Sequence, residues 1–211
     1  MKQIVIVDDH LILRRGIAQI LEDNPDLRVA GEAASGPELM TVLRRTRADA
    51  VLLDIALGDT DGFDVLRQLR QEFPHVPVLM LSVYPESQFG VRALKNGASG
   101  YLNKACSPQQ LYEAIDRACS GRKYITPELA EHLACEVQQP VQESPLDHLS
   151  RRELQVLTLM AQGVSVGDIA RQLCLSTNTI STYRARVFDK LGLHNAVELV
   201  SFAARHQLVA L

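Results

Sequence analysis

Five short apolar runs alternate with stretches of helical spacing over the first 120 residues, and this alternation constrains the fold more than any other feature. The runs span residues 4–7, 27–31, 50–54, 77–82 and 99–103. The first, Ile4-Val5-Ile6-Val7, is apolar without a break, which is typical of a strand covered on both faces. Five strand–helix units of this length predict an α/β doubly wound fold around a five-stranded parallel sheet.

The last third of the chain shows helical spacing and no strand-like run. Before it, residues 138–145 are mostly polar and include two prolines, a composition typical of a linker. We therefore divide the chain into a first domain over 1–122, a linker that includes a helix over 123–147, and an all-α, four-helix domain over 148–211.

Capping residues mark the helices of the second domain. Ser150 stands three residues before Glu153, which is a capping box, and Ser165 and Ser176 stand at the starts of two further helices. Only residues 174–176 separate the second of these helices from the third. A short helix, a tight turn and a longer helix predict a helix-turn-helix.

Composition narrows the class of protein. No stretch approaches the roughly 20 apolar residues of a membrane helix, and the early first strand leaves no room for a signal peptide. The four cysteines form no CxxC pair, which favours free thiols in a reducing, cytoplasmic location over a disulfide or zinc framework.

Residues 1–120 carry a net charge of −3 and residues 146–211 one of +2. This balance permits nucleic-acid binding by the tail without requiring it.

Polar side chains stand where the predicted strands end. Asp8 and Asp9 follow the first strand and Asp54 closes the third, while Ser82 closes the fourth and Lys104 follows the fifth. The carboxyl ends of parallel strands meet at one edge of a sheet, where ligands bind. Mg²⁺ is held by carboxylates together with phosphate oxygens, and an ammonium and a hydroxyl suit those oxygens. The edge therefore predicts a site for Mg²⁺ and a phosphoryl group.

Rival chemistries need residues that the chain lacks. A haloacid-dehalogenase-type phosphatase needs a second Asp two residues after its nucleophile, where this chain has Ala56. A dinucleotide site needs GxGxxG after the first strand, and a calcium loop near Asp59 would need Glu where Gln68 stands. An ordinary turn or solvated side chain remains the alternative for any one residue, and for His10 we favour a loop residue over a ligand.

The third helix of the second domain has an apolar stripe and a polar face. Ile180, Val187 and Leu191 form the stripe, which we expect in the core. A helix with a bare polar face after a tight turn suits the major groove, with cations on phosphates and hydroxyls on base edges. The residues predicted to face DNA are Ser181, Thr182, Tyr183, Arg184, Ala185, Arg186 and Lys190.

A set of landmarks lies at the predicted strand ends: Asp8-Asp9-His10 with Arg14 and Gly16, Asp54, Ser82, Tyr101 and Lys104. At these positions they resemble the receiver domain of two-component response regulators, the NarL/FixJ branch in particular, over about residues 3–120. Two positions depart from the family pattern. Leu57-Gly58 stands where many receivers carry Met-Pro, and Ala105 where many carry Pro, and neither change touches a ligand.

This resemblance implies a role for each landmark. It implies that a cognate sensor histidine kinase phosphorylates Asp54. The implied Mg²⁺ ligands are Asp8, Asp9, Asp54 and the backbone carbonyl of Ala56. The implied phosphate partner is Lys104, and the implied switch residues are Ser82, whose hydroxyl moves toward the phosphate, and Tyr101, whose ring swings inward.

A second motif runs through the tail: Leu149-Ser150-Arg151-Arg152-Glu153-Leu154, Ile169-Ala170, Leu175-Ser176, Thr179-Ile180, Tyr183 and Lys190-Leu191. It is similar to the LuxR/NarL-type DNA-binding domain, and Thr182-Tyr183-Arg184 with Val197-Glu198-Leu199 narrows the likeness to global regulators of the GacA/UvrY type. Ser181 and Ala185 depart from the longer residues of many relatives, which leaves the operator sequence open. The resemblance implies promoter DNA as a partner and a homodimer in the phosphorylated state.

The last predicted helix, from Asn195 to Arg205, has an apolar face with two interpretations. By resemblance this helix packs one protomer against another. The alternative is that the face belongs to the intramolecular core. The face consists of Val197, Val200, Ser201 and Ala204.

Together these patterns predict a two-component response regulator rather than an enzyme. In this interpretation, phosphorylation at Asp54 controls sequence-specific DNA binding and transcription. A protein-interaction module, whose helical tail contacts a partner protein instead of DNA, remains an alternative. An enzyme with multiple-turnover phosphatase activity is a third.

Overall fold

The structure is a computed structural model that describes residues 1–58, 60–138, 145–206 and 208. The chain divides into two compact units, Met1–Val141 and Gln142–Leu211. The predicted linker residues 139–144 lie outside the described residues. None of the helices in the described part of the chain combines the length and apolar character needed to cross a bilayer.

A five-stranded parallel sheet forms the centre of the first unit, in the order β2-β1-β3-β6-β7. Its strands are β1 (Lys2–Val7), β2 (Leu27–Ala33), β3 (Ala50–Asp54), β6 (Val78–Ser82) and β7 (Gly100–Asn103). Residues 4–7 and every residue of β3 and β6 are buried, because helices cover both faces of the sheet. The predicted doubly wound α/β fold is confirmed.

Two further strands were not predicted. After Asp54, β4 (Ala56–Leu57) and β5 (Thr60–Asp61) pair as a short antiparallel ladder. Gly58 has φ 53, a left-handed conformation that a residue with a side chain adopts only with strain. Gly62 comes directly after β5, and a Cβ there would come within 2.4 Å of the backbone oxygen of Asp54. The segment is therefore packed directly against the end of β3.

The described part of the first unit contains six helices: α1 (Leu11–Glu22), α2 (Gly36–Arg45), α3 (Gly62–Glu72), α4 (Glu86–Lys95), α5 (Pro108–Cys119) and α6 (Pro127–Gln138). Side chains cap the starts of α2, α3, α5 and α6, and at α5 Ser107 and Gln110 form a capping box around Pro108 at the first helical position. Leu21 of α1 and Ile115 of α5 pack on one sheet face with alternate residues of the strands.

Helix α6 packs on α4 within the first unit. Leu129 of α6 is fully buried, and it lies so close to α4 that a Cβ on Gly90 would approach a Leu129 methyl to 2.7 Å. Thr126 donates its hydroxyl hydrogen to Glu86 at the start of α4 and caps α6 by accepting from the backbone N–H of Leu129. Tyr124, just before it, bridges to Gly100 of β7.

The second unit is helical, as predicted. A 3₁₀ turn (Pro145–His148) precedes α7 (Arg151–Ala161), α8 (Val166–Gln172), α9 (Thr177–Leu191) and α10 (Ala196–Arg205). The side chains of Ser150, Ser165, Ser176 and Asn195 cap these four helices. Helices α8 and α9 are joined by a tight turn in which Cys174 has φ 54. Ile180 and Val187 of α9 are fully buried in the core, as their spacing predicts.

Candidate functional site

The carboxyl edge of the sheet brings four predicted side chains together, those of Asp8, Asp9, Asp54 and Lys104. Asp8, Asp54 and Ser82 are at most 2% exposed, although all three are polar. Ligand atoms of Asp8, Asp9, His10 and Asp54 all lie within 4.8 Å of one another. Carboxylates this close together repel one another, so a cation must offset their negative charge.

Lys104 supplies that cation. Its Nζ lies 2.6 Å from Asp8 Oδ2 and 2.8 Å from Asp54 Oδ2, and its side chain is only 8% exposed. The backbone N–H of Lys104 donates to the carbonyl of Ser82 at 2.7 Å, which fixes the end of β7 beside the end of β6. The lysine thus bridges two buried carboxylates from different strands.

The carboxyl group of Asp54 has a raised pKa. Burial raises its pKa above the ordinary value of 3.8, while the contacts with Lys104 and with the backbone of Ala56 oppose that rise. Its Oδ2 is buried and, apart from the ion-pair contact with Lys104, has no aligned hydrogen-bond donor among the residues that the structure describes. A buried carboxylate oxygen with spare capacity is suited to a second cation or to a bond with an electrophile.

The donor set fits Mg²⁺. Three carboxylates converge, and Mg²⁺ prefers hard oxygen ligands and keeps several waters. Asp9 is the exposed member, and its Oδ2 accepts from the backbone N–H of Gly58 at 2.9 Å, so the β4–β5 segment is tied to the cluster. The expectation that the Leu57-Gly58 departure touches no ligand is therefore wrong for Gly58. The predicted ligand role of the Ala56 carbonyl stays a prediction.

His10 lies closer to the site than its sequence position suggested. Its Nδ1 is 2.8 Å from Asp9 Oδ1 and 3.2 Å from Asp8 Oδ1, and its backbone N–H donates to Asp8. Arg14 donates through Nη1 to the carbonyl of Asp8 and through Nε to Glu32. The spacing of Arg14 from Asp8-Asp9 was the one sequence feature that pointed to its place at the site. No sequence feature distinguished His10 from an ordinary turn residue.

The predicted switch residues are connected through Tyr84. Ser82 Oγ accepts from the backbone N–H of Tyr84 at 3.1 Å. The carbonyl of Tyr84 accepts from the hydroxyl of Tyr101 at 2.8 Å and from Asn103 Nδ2 at 3.1 Å. Tyr101 is 1% exposed, so its ring lies inward. Asn103 was not predicted, although a polar residue directly before Lys104 was the available signal.

Most of the predicted DNA-facing residues lie on an exposed face of α9. Ser181, Thr182, Arg184, Ala185, Arg186 and Lys190 are exposed, whereas Tyr183 is half-buried and packs against the core. The hydroxyls of Ser181 and Thr182 donate to carbonyls one turn earlier in the helix, so they would have to rotate to reach a base.

Lys190 on this face forms an ion pair with a residue of another helix. Its Nζ lies 2.6 Å from Oε2 of Glu153, which is 2% exposed and also accepts from the backbone N–H of Ser150. Burial opposes the ionisation of Glu153, but the hydrogen bonds from Lys190 and Ser150 outweigh it, and the pKa of this carboxyl is lowered. The pair joins α7 to α9 and so orients the exposed face.

The apolar face of α10 is not core. Val197 is 76% exposed and Val200 is 36% exposed, whereas Leu199, Phe202 and Ala203 on the other side are buried. The interpretation of the Val197 face as intramolecular core is therefore wrong. Two large apolar side chains in water on one helix face suit an interface.

Both units match known families. Residues 4–116 match the model of the response regulator receiver domain, and residues 147–203 match that of the bacterial regulatory proteins of the luxR family. Among curated proteins, the response regulator UvrY of Escherichia coli strain K12 is 37% identical over 209 residues, covering 99% of this chain and 96% of that protein. The response regulator GacA of Pseudomonas aeruginosa is 36% identical over 210 residues, covering 99% and 98%.

Solved structures of similar architecture include the response regulator RcsB of Salmonella typhimurium. It is 25% identical, with a TM-score of 0.58 and coverage of 97% of this chain and 98% of that one. A complex of RcsB with DNA is 26% identical at a TM-score of 0.58, covering 96% and 98%. The response regulator ChrA of a heme-sensing two-component system is 31% identical at 0.52, covering 98% of both chains.

Proposed function

This chain belongs to the response regulators that join a receiver domain to a LuxR-type DNA-binding domain, and on that premise we propose that phosphorylation of Asp54 controls its binding to promoter DNA. One observation carries the proposal. Lys104 bridges Asp8 and the buried Asp54 at the end of β3, so that the lysine can exchange a carboxylate for a phosphoryl group. The proposed partners are a cognate sensor histidine kinase and promoter DNA, in the cytoplasm.

Mg²⁺ is the proposed cofactor, held by Asp8, Asp9, Asp54 and the carbonyl of Ala56. When bound, it would offset the negative charge of the phosphoryl oxygens as they approach the carboxylates. The support is the convergence of three carboxylates and the spare capacity of Asp54 Oδ2.

Asp54 acts as the nucleophile in this proposal. Its carboxylate attacks the phosphorus of a phosphohistidine in line, the P–N bond breaks, and the histidine nitrogen leaves with the bonding electron pair. Lys104 then pairs with an oxygen of the acyl phosphate instead of Asp54. Ala56 stands two residues after Asp54, so that position offers no acid to assist hydrolysis. The site therefore stores phosphate rather than turning it over. This favours a regulator over an enzyme.

The signal leaves the site through Ser82. In this structure Ser82 Oγ accepts a hydrogen bond from the backbone N–H of Tyr84. When the hydroxyl of Ser82 donates to the new phosphoryl oxygen, the backbone at Tyr84 shifts. Because the Tyr84 carbonyl holds Tyr101 and Asn103, these side chains move with it. The next residues lead into Glu86, which contacts Thr126 at the start of α6. Phosphorylation would shift a pre-existing equilibrium between the two arrangements.

The exposed face of α9 is the proposed DNA contact. Arg184 and Arg186 bind phosphates, Ser181 and Thr182 reach base edges, and the exposed Val197 and Val200 of α10 contact a second protomer in the phosphorylated homodimer. The proposed domain bounds are 1–122 for the receiver, 123–147 for the linker and 148–211 for the DNA-binding domain. Helix α6 of this linker packs on α4, so it belongs structurally with the first unit.

Labelling with acetyl phosphate tests the acceptor. With Mg²⁺ present, we expect the wild-type chain to incorporate phosphate and Asp54→Asn to incorporate none, because the nucleophile is gone. Asp64→Asn is the matched control, since Asp64 is an exposed carboxylate of α3 outside the cluster. Persistent labelling of Asp54→Asn, or its loss in Asp64→Asn, would contradict the assignment.

A salt-dependent gel shift with the 145–211 fragment tests the DNA contact and separates it from a protein-interaction module. Each of Arg184→Ala and Arg186→Ala should weaken binding to all sequences and reduce the slope of log K against log salt by about 0.9, as one phosphate contact is lost. Arg205→Ala on α10 is the control and should leave the slope unchanged. Absence of salt-dependent binding by the fragment would favour the protein-interaction module.

A further inference from the structure

An open cleft of about 610 Å³ lies at the opposite edge of the sheet from Asp54, where the strands begin. Five of its lining residues are cations, and we call it the basic cleft. These cations are Lys2, Arg47, Arg70, Arg122 and Lys123. Asp49 is the one carboxylate among the lining residues that the structure describes. The volume falls within the range of small-molecule sites.

The charges of the basic cleft are not balanced. Asp49 contacts Arg47, and the neighbouring Asp116 contacts Lys2 closely and Arg122 at 3.9 Å. The ends of α2, α3, α4 and α5 lie at this edge, and each carries a partial negative charge of about one half. Five cations against two carboxylates and four helix ends leave a surplus of about one positive charge.

Arg70 and Lys123 carry the surplus. In the described part of the chain neither contacts a carboxylate, and both donate only to backbone carbonyls, Arg70 to those of Pro74 and Val76 and Lys123 to that of Ala98. Arg70 Nε is buried and has no hydrogen-bond partner among the described residues. Burial lowers the pKa of both groups, and the charge of Arg70 lowers that of Lys123 further. Two cations that destabilise each other beside an open cleft would be stabilised by an anion.

We propose that the basic cleft binds a small polyanion of the phosphate class, with Arg70 and Lys123 as its principal contacts. A guanidinium recognises phosphate oxygens in a planar, bidentate manner, and an ammonium adds a point charge. The polyanion neutralises the surplus that Asp49 and Asp116 leave. Lys123 belongs to the segment between α5 and α6, so the polyanion would also contact that segment. The next residue, Tyr124, bridges to Gly100 of β7.

Two sources share this chemistry, an inorganic polyphosphate and a nucleoside polyphosphate. Calorimetric titration of the full-length, metal-free chain with pyrophosphate and separately with ATP, at about 0.15 M salt, tests the site. We expect saturable binding of at least one probe. Equal affinity assigns recognition to the phosphates alone, and tighter binding of ATP adds contacts with the nucleoside.

Charge variants locate the binding. Lys123→Met should weaken it about tenfold, because one ionic contact is lost, whereas Lys123→Arg should retain it. Arg67→Met is the matched control on α3, because Arg67 is exposed and paired with Asp64 outside the cleft. Labelling of Asp54 by acetyl phosphate should be the same in Lys123→Met as in the wild type, so failure here is distinct from failure at the acidic site.

Three results would overturn the proposal. The first is no saturable binding of either probe up to about 5 mM, a weak limit for a small ligand. The second is an equal loss in Arg67→Met, which would show a response to net charge alone. The third is unchanged binding by a Lys123→Met chain whose urea unfolding matches the wild type.

Discussion

Replacement of Lys104 by Met should destabilise the receiver unit by about 3 kcal/mol at neutral pH without Mg²⁺. The side chain is 8% exposed, and it lies between the buried side chains of Asp8 and Asp54. Removing one partner of a buried ion pair costs about 3–5 kcal/mol, because the remaining charge is left uncompensated. We expect the lower end, since the exposed Asp9 and His10 give water access to the edge.

The assay is urea unfolding followed by far-ultraviolet circular dichroism, since the chain has no tryptophan to report by fluorescence. Lys104 lies in the first unit, so the transition of the helical second unit serves as an internal reference. Adding millimolar Mg²⁺ should restore much of the lost stability, because a divalent cation replaces the missing ammonium.

The deficit should depend on pH in a defined direction. The pKa of Asp54 is raised in the folded state above 3.8, and removal of Lys104 takes away a contact that lowers it. A carboxyl with a raised folded-state pKa adds stability below its unfolded pKa and loses that contribution as pH rises through the folded value. The penalty of Lys104→Met should therefore be largest at neutral pH and shrink toward pH 3.8.

Asp54→Asn in the Lys104→Met background is the informative control. Without the second buried carboxylate, the double variant should recover at least about 1 kcal/mol. A Lys104→Met penalty below about 1 kcal/mol at neutral pH, or a double variant as unstable as the single one, would refute the reasoning. Either result would mean that water, and not the lysine, compensates these carboxylates.

The remaining predictions concern Glu153 and two glycines. Glu153→Gln should destabilise the second unit by about 1–2 kcal/mol at pH 7, discounted because Lys190 is 38% exposed. Since the Glu153 pKa is lowered from 4.5, its contribution is present above pH 4.5 and is lost as pH falls, so the variant should show a flatter stability profile in thermal melts over the acidic range. Gly62→Ala should destabilise the first unit by about 1–3 kcal/mol, because its Cβ meets backbone that cannot move aside. Gly16→Ala, with open space in α1, should stabilise it by about 0.5–1 kcal/mol, and equal effects of the two alanines in urea unfolding would contradict this account.

The sheet and most of the acidic site were predictable, because strand burial and strand ends leave direct marks in the sequence. Asp8, Asp54 and Ser82 each terminate an apolar run, and parallel strands bring such ends together. The β4–β5 ladder left no such mark, since two-residue strands have no measurable periodicity. Its position depends on the contact of Gly62 with the end of β3.

The second unit shows the limit of helical periodicity. Periodicity placed Lys190 on the exposed face of α9 correctly, but it could not show that Glu153 pairs with it from another helix. The same pattern could not decide whether Val197 of α10 faces the core or a second protomer, and the structure shows that the buried side is that of Leu199 and Phe202. Pairing and packing between distant elements are tertiary properties that one helix does not encode.

The packing of Leu129 against α4 decides where this protein can be divided. A fragment ending at residue 122 would lose α6 and uncover the surface of α4 around Gly90 that Leu129 now fills. It would also lose the contact of Thr126 with Glu86. Such a fragment would expose apolar surface and associate in solution, whereas one that extends through Gln138 would keep that surface covered. The smallest well-behaved receiver therefore includes α6, and any chimera made with another DNA-binding module should be joined after this helix.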